Sequence, residues 1–272
     1  MDRVSEIMEE PEEELHQGEE TGTVAGGVVF EDVSFSYGDA PLFRNLNLTI
    51  PAGRITAIVG PSGGGKTTLL NLVERLYAVD EGTIRIGGKD VRDFSLSGYR
   101  RALGYVTQES VLYAGTIREN LQQGLNRRAG EDELDEACQA AGILDYVRSL
   151  PEGYETKVGE NGASLSGGQR QRFSVARALL KEPDCLLLDE VTAAMDIGGK
   201  DHVWESIRRV MAGKTVVYVA HDAQTLQHAD YIIVLDRGKV EAAGEREDIL
   251  ASSSYCREMT EDERGRTKNE DR

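Results

Sequence analysis

The chain has 272 residues, 39% of them hydrophobic and 29% charged, with a formal net charge of −17. That length and apolar share suit one globular domain with polar ends, and the acidic balance argues against nucleic acid as a partner because the mean field repels phosphate backbones. The best candidate apolar runs, Cys185–Leu188 and Val216–Ala220, are far shorter than the roughly 20 residues of a membrane span; Met1–Glu10 lacks the apolar centre of a secretory signal; and three scattered cysteines, Cys138, Cys185 and Cys256, outline neither a disulfide framework nor a zinc site. The chain therefore reads as soluble and built for a reducing compartment.

In chain order, Val4–Glu10 has the pattern of a short helix, and Pro11 with its glutamates and the Gly-rich 21–27 reads as a linker, so residues 1–27 are expected to feed the domain. Val28–Tyr37 and Leu46–Ile50 alternate between turn signals and predict early antiparallel strands. Arg54–Val59 is an apolar run entering a Gly-rich loop, and Leu69, Val73 and Leu76 then repeat at helical spacing. From about 108 to 180 the pattern turns helical, with Leu134, Ala137, Cys138 and Ala141 on one face and Ile143, Leu144 and Val147 continuing it. Strands follow at Cys185–Leu188, Thr215–Ala220 and Tyr231–Leu235, with a helix carrying Val203, Ile207, Val210 and Met211 between the first two. Alternating strands and helices predict an α/β fold, a mainly parallel sheet flanked by helices. After Ser252 the chain is dominated by charge, and 253–272 is expected to be a frayed or disordered tail. There is no internal repeat.

Three motifs carry chemistry. Gly60-Pro61-Ser62-Gly63-Gly64-Gly65-Lys66-Thr67, with Thr68 after it, fits G-x-x-x-x-G-K-[ST] after a strand and before a helix. The glycines let backbone amides turn inward around a phosphate, Lys66 reaches its β and γ oxygens, and the Thr67 hydroxyl ligates magnesium. The bland alternative, a Gly-rich turn with a surface lysine, is set aside because motif and context agree. Leu186–Leu188 ends in Asp189-Glu190, two carboxylates at the carboxyl end of a strand: Asp189 to hold the metal, Glu190 to polarise water as general base. Alone, that ending is common; beside a phosphate loop it gains meaning. Leu165-Ser166-Gly167-Gly168-Gln169 opens a helix with Ser166 as N-cap and forms a second anion site.

One nucleotide seldom needs two phosphate cradles in one chain. This pair of motifs resembles the ABC ATPases, over about residues 28 to 250, and implies a phosphate-loop NTPase of ABC type with an antiparallel β subdomain and a helical subdomain. The resemblance implies ATP and Mg2+ as ligands, and two domains facing head to tail so that Leu165–Gln169 of one closes on ATP held by Lys66 of the other. It further implies Tyr37 as the aromatic stacked on adenine, Gln108 as the glutamine contacting magnesium and water, and His221 as a switch near the γ-phosphate. Outside the family pattern, a lone aromatic is usually core, a lone glutamine surface and a lone histidine structural. Two positions depart from the pattern: Ala193-Ala194-Met195-Asp196 lacks a first-position hydroxyl, and Asp222 follows His221 where exporter domains often carry arginine.

Gly115–Leu121 and Thr156–Gly162 resemble segments that exporter domains lay against transmembrane coupling helices; taken singly they are a helix start and a Gly-rich turn. Arg3–Met8 and the following Glu9-Glu10-Pro11 resemble the connector from a last membrane helix, so the chain reads as cut from a longer transporter at the cytoplasmic face of a plasma or inner membrane, partnered by a transmembrane domain and a second ATPase domain. The alternatives are an importer subunit, a DNA-handling or translation-type relative, and a regulatory domain that binds ATP without turnover. Against them stand the lack of a heptad insertion between Lys66 and Ser166, a single ATPase domain, and the intact Lys66, Glu190 and His221. The cargo belongs to membrane helices and is not legible here.

Overall fold

The computed structural model describes residues 23–159, 162–191, 195 and 197–260. The helix and connector expected at 3–11, Glu160 and Asn161, most of the loop 193–196 and residues 261–272 lie outside the described residues. Among those described, no helix is long and apolar enough to cross a membrane.

The centre is a six-stranded sheet in the order β12-β11-β3-β10-β9-β6, formed by β3 (Ile55–Val59), β6 (Leu103–Val106), β9 (Cys185–Asp189), β10 (Thr215–Val219), β11 (Tyr231–Asp236) and β12 (Lys239–Glu245). Five strands run parallel and only the edge strand β12 is antiparallel. Strands β3, β9 and β10 are buried at every position. Their side chains therefore alternate between two cores: Ile55, Ala57, Leu186, Leu188 and Val216 enter one, Ile58, Cys185, Leu187 and Val217 the other. This is why these runs are apolar throughout rather than alternating.

Against the second core packs an antiparallel sheet, β2-β1-β4-β5, from β1 (Val28–Tyr37), β2 (Ala40–Ile50), β4 (Glu81–Ile86) and β5 (Lys89–Asp90). The first core is closed by short helices, α3 (Ile117–Leu121), α4 (Glu131–Ala140) and α5 (Leu144–Ser149), and by the long α6 (Gly167–Leu180). A short antiparallel pair of β7 (Gly115–Thr116) and β8 (Lys157–Val158), distant in sequence, joins that group. The same first core also receives α7 (Ile197–Val210), α8 (Ala223–Leu226) and α9 (Arg246–Ser252), through Val203, Trp204, Ile207, Leu226 and Ile249.

Two stretches differ from expectation. Val24, within the stretch read as linker, is fully buried, and its amide donates to Asp184 Oδ2 at 3.1 Å. Residues 254–260, within the stretch read as frayed, form a helix whose Cys256 is fully buried while Tyr255 and Met259 pack on the first core. Local charge hid this anchor: three apolar side chains suffice once a core edge is there to receive them. All three cysteines are buried and free.

Helix α1 (Lys66–Val73) is fixed at its far end by α2 (Leu96–Ala102). The Tyr99 hydroxyl donates to Val73 O at 2.6 Å and Arg100 donates to Arg75 O at 2.9 Å, occupying carbonyls that a helix end leaves bare. Glu74 lies in the same place, buried, and burial pushes its carboxyl up to about 7 against the pull of Lys181 and Arg100. The folded chain thus keeps a proton on Glu74 that the unfolded chain has lost, so this group's contribution falls as pH rises towards 7 and stays low above it. Glu74→Gln is expected to flatten the decline in unfolding free energy between about pH 5 and pH 7, measured by urea titration; an unchanged pH profile contradicts it.

Candidate nucleotide site

Four neighbouring strands deliver one functional segment each from their carboxyl ends, in the spatial order β3, β10, β9, β6. Ile58, Val219 and Asp189 are register partners, and Leu188 pairs with Val106, so the loops that follow begin at one level. Residues 60–67 follow β3, His221 follows β10, Glu190 follows β9 and Gln108 follows β6. Residues far apart in sequence meet because the sheet order, not the chain order, sets their spacing.

The loop after β3 is shaped by glycine. Gly60 sits at φ 147°, and a Cβ there would lie 1.8 Å from the Leu235 carbonyl oxygen. Gly65 sits at φ 99° as the N-cap of α1, with no side chain capping the first amides. Those amides remain available to an anion, and the helix dipole adds to their pull. Lys66 is 5% exposed; its Nζ donates to Gly60 O at 2.8 Å and to Pro61 O at 2.9 Å. Burial lowers its pKa, while Glu190 and Asp189 oppose that shift. Thr67 is exposed and its hydroxyl bonds the Asp189 carboxylate.

Asp189 is 1% exposed, and its Oδ1 has no hydrogen-bond partner. Burial raises its pKa, Thr67 draws it down, Glu190 raises it, and His221 and Lys66 lower it. An unpartnered buried carboxylate oxygen beside a hydroxyl and a phosphate loop is the donor set a hard divalent cation takes, so these residues fit Mg2+. Glu190 adopts φ 52°, a region costing a non-glycine residue on the order of 1 kcal/mol. Its two oxygens are separately held: Oε1 lies 2.6 Å from His221 Nε2, and Oε2 accepts from Gln108 Nε2 at 2.9 Å.

Tyr37 is 45% exposed and its hydroxyl lies 3.3 Å from that of Thr68, on the first turn of α1. Phe35 and Tyr77 meet it edge-on at ring-centroid distances of 4.9 and 5.2 Å. Tyr77 had no signal in the sequence beyond being aromatic.

Ser166–Gln169 shares no described hydrogen bond with this cluster. It forms a reciprocal cap: Ser166 Oγ accepts from the Gln169 amide, and Gln169 Oε1 accepts from the Ser166 amide. Gly167 and Gly168 line an open hollow with Tyr146, Arg172 and Met195. The structure thus brings Lys66, Thr67, Asp189, Glu190, His221, Gln108 and Tyr37 to one place, while Ser166–Gln169, expected to be a second anion site, shares no described hydrogen bond with them.

The segments 115–121 and 156–158 are also brought together. Gly115–Thr116 pairs with Lys157–Val158, and Arg118 Nε reaches Glu155 at 2.6 Å. Their pairing was not legible, since each is two residues of strand.

A phosphate loop at the switch from a central strand, with an acid-bearing neighbour two strands away, defines a P-loop nucleotide-binding domain. More narrowly, the chain belongs to the ABC transporter family, whose sequence model matches residues 43–193. It is 46% identical over 224 residues to the ATP-dependent lipid A-core flippase of Syntrophus aciditrophicus (strain SB), covering 82% of this chain and 37% of that protein. It is 44% identical over 255 residues to ABC transporter B family member 15 of Arabidopsis thaliana, covering 92% of this chain and 20% of that protein. Among solved structures, a bacterial Atm1-family ABC exporter with ATP bound superposes with a TM-score of 0.88 at 35% identity, over 95% of this chain and 46% of that one. The chain therefore spans less than half the length of these relatives, and corresponds to their ATP-binding domain.

Because a Cβ at 60 collides with backbone rather than a movable side chain, Gly60→Ala is expected to lower the melting temperature by several degrees and to abolish retention on immobilised ATP. Wild-type melting and retention would contradict the loop's tight approach to Leu235.

Proposed function

We propose that this chain binds MgATP and hydrolyses it as the engine of an exporter at the cytoplasmic face of a membrane, acting as a head-to-tail pair beneath a transmembrane domain. One observation carries the reading: Glu190, strained in the left-handed region, has each carboxylate oxygen fixed by a different side chain beside a buried lysine. A lone structural acid needs neither the strain nor two positioning partners.

Lys66 would exchange its loop carbonyls for phosphate oxygens, and the open amides of the α1 N-terminus would hold the remaining charge. Thr67, Asp189 and Gln108 would hold Mg2+, which neutralises charge on the β and γ oxygens. Glu190 would then orient the attacking water and take its proton, while His221 and Gln108 keep the carboxylate aimed. Tyr37 offers its exposed ring to adenine.

Ser166–Gln169 has the chemistry of a second phosphate cradle, yet it lies apart from Lys66 in its own chain. A second copy turned to face the first would supply it, giving two shared sites. The exporter branch is supported by the relatives' own names, a lipid A-core flippase and an Atm1-family exporter, and by the paired segments 115–121 and 156–158 as the surface for membrane helices.

Glu190→Gln should bind ATP, accumulate as a dimer by light scattering, and hydrolyse at least about a hundredfold more slowly than wild type. Lys66→Ala should instead lose nucleotide affinity. Brisk turnover by Glu190→Gln removes Glu190 from the catalytic role, and a monomeric ATP-bound mutant removes the pairing.

A further inference from the structure

Helix α7 begins shortly after the acid-bearing strand β9, and three consecutive residues of its first turns grip two other segments. Lys200 Nζ lies 3.0 Å from Asp222 Oδ2. Asp201 Oδ1 is 3.5 Å from His228 Nε2 and accepts from Gln227 Nε2 at 3.4 Å. His202 Nε2 lies 3.2 Å from the Gln139 carbonyl on α4. The first two contacts both fall on the segment that carries His221.

Asp222 is the neighbour of His221, and both of its oxygens are in use. Oδ1 accepts from the Thr225 amide at 2.7 Å, capping α8, while Oδ2 meets Lys200. Burial works to raise the Asp222 pKa, and the bonds from Thr225 and Lys200 overcome it, so the carboxyl sits below its ordinary range. The Lys200 side chain is 14% exposed, so this pair is better shielded than the surface pairs of the molecule. A carboxylate held at both oxygens has one orientation, and the backbone of the adjacent His221 is held with it.

We propose that Lys200 is a positioning residue for hydrolysis: through Asp222 it anchors His221 where its ring meets Glu190 at 2.6 Å. A contact that short depends on tenths of an ångström, and small misplacements of a catalytic group cost large factors in rate. The role rests on the hydrolytic reading above, and it explains why an acid stands at 222 in a chain with a lysine at 200: the two are a matched pair.

The test uses Lys200→Met, Lys200→Arg and Asp222→Asn. The asparagine keeps the α8 cap but discards the charge, so it removes the anchor without removing the fold. Two readouts are taken: steady-state MgATP turnover, and the His221 ring resonance in a carbon–proton spectrum without nucleotide, assigned by its loss in His221→Gln. Lys200→Met and Asp222→Asn are expected to shift the His221 resonance and to lower kcat roughly tenfold with KM within about twofold, while Lys200→Arg restores both. An unmoved His221 resonance in the two disrupting variants, or a failure of arginine to restore it, overturns the anchoring. If wild type does not hydrolyse ATP, the hydrolytic reading fails, and the anchoring of His221 is still decided by the resonance.

Discussion

The site depends on one buried cation. Lys66 is almost wholly removed from water, and in its place it has two carbonyls of its own loop and the two carboxylates at the end of β9, two strands away. A desolvated ammonium is costly unless it is surrounded by acceptors, and the loop can surround it only because Gly60 and Gly65 take backbone angles that a side chain would forbid. The parallel sheet then does the rest: adjacent strands end at one level and place Asp189, Glu190, His221 and Gln108 around that charge. Removal of any one glycine contact would be felt at residues more than a hundred positions away in sequence.

The same constraint explains the division of the molecule. The cluster around Lys66 is assembled by the six-stranded sheet, while Ser166 and its glycines belong to α6, packed among the helices of the other core. Among the described residues, these two glycine-bearing segments of one chain share no hydrogen bond, and the proposed function reads both as anion cradles. The proposed pairing of two copies turns this separation into a mechanism, because closing the pair is then coupled to the presence of nucleotide between the cradles, and its release to hydrolysis at Glu190.

The phosphate loop, the acid pair and the helix-capping Ser166 were all legible in the sequence, because each depends on a local rule: glycine at forbidden angles, an apolar strand ending in acids, a serine three residues before a glutamine. The central strands could be read from their continuous apolar runs. What escaped depends on partners distant in sequence. The edge strand Lys239–Glu245 alternates between half-buried and exposed positions and has no apolar run to reveal it. The docked helix at 254–260 is masked by charge, although Tyr255 and Met259 stand one helical turn apart. Lys200 carried no signal, since its meaning lies in an acid 22 positions further on; Asp222 did carry one, as an acid three residues before Thr225 that can cap a helix.

The account stands or falls on whether the two cradles of different copies make one site. Lys66→Ala and Ser166→Arg chains should each be inactive alone, since every site in either pair would be broken. Mixed in equal amounts, half the pairs would hold one intact site, and MgATP hydrolysis should return to as much as about a quarter of the wild-type rate. Two silent variants that stay silent when mixed would contradict the shared site and place both cradles at the service of one chain.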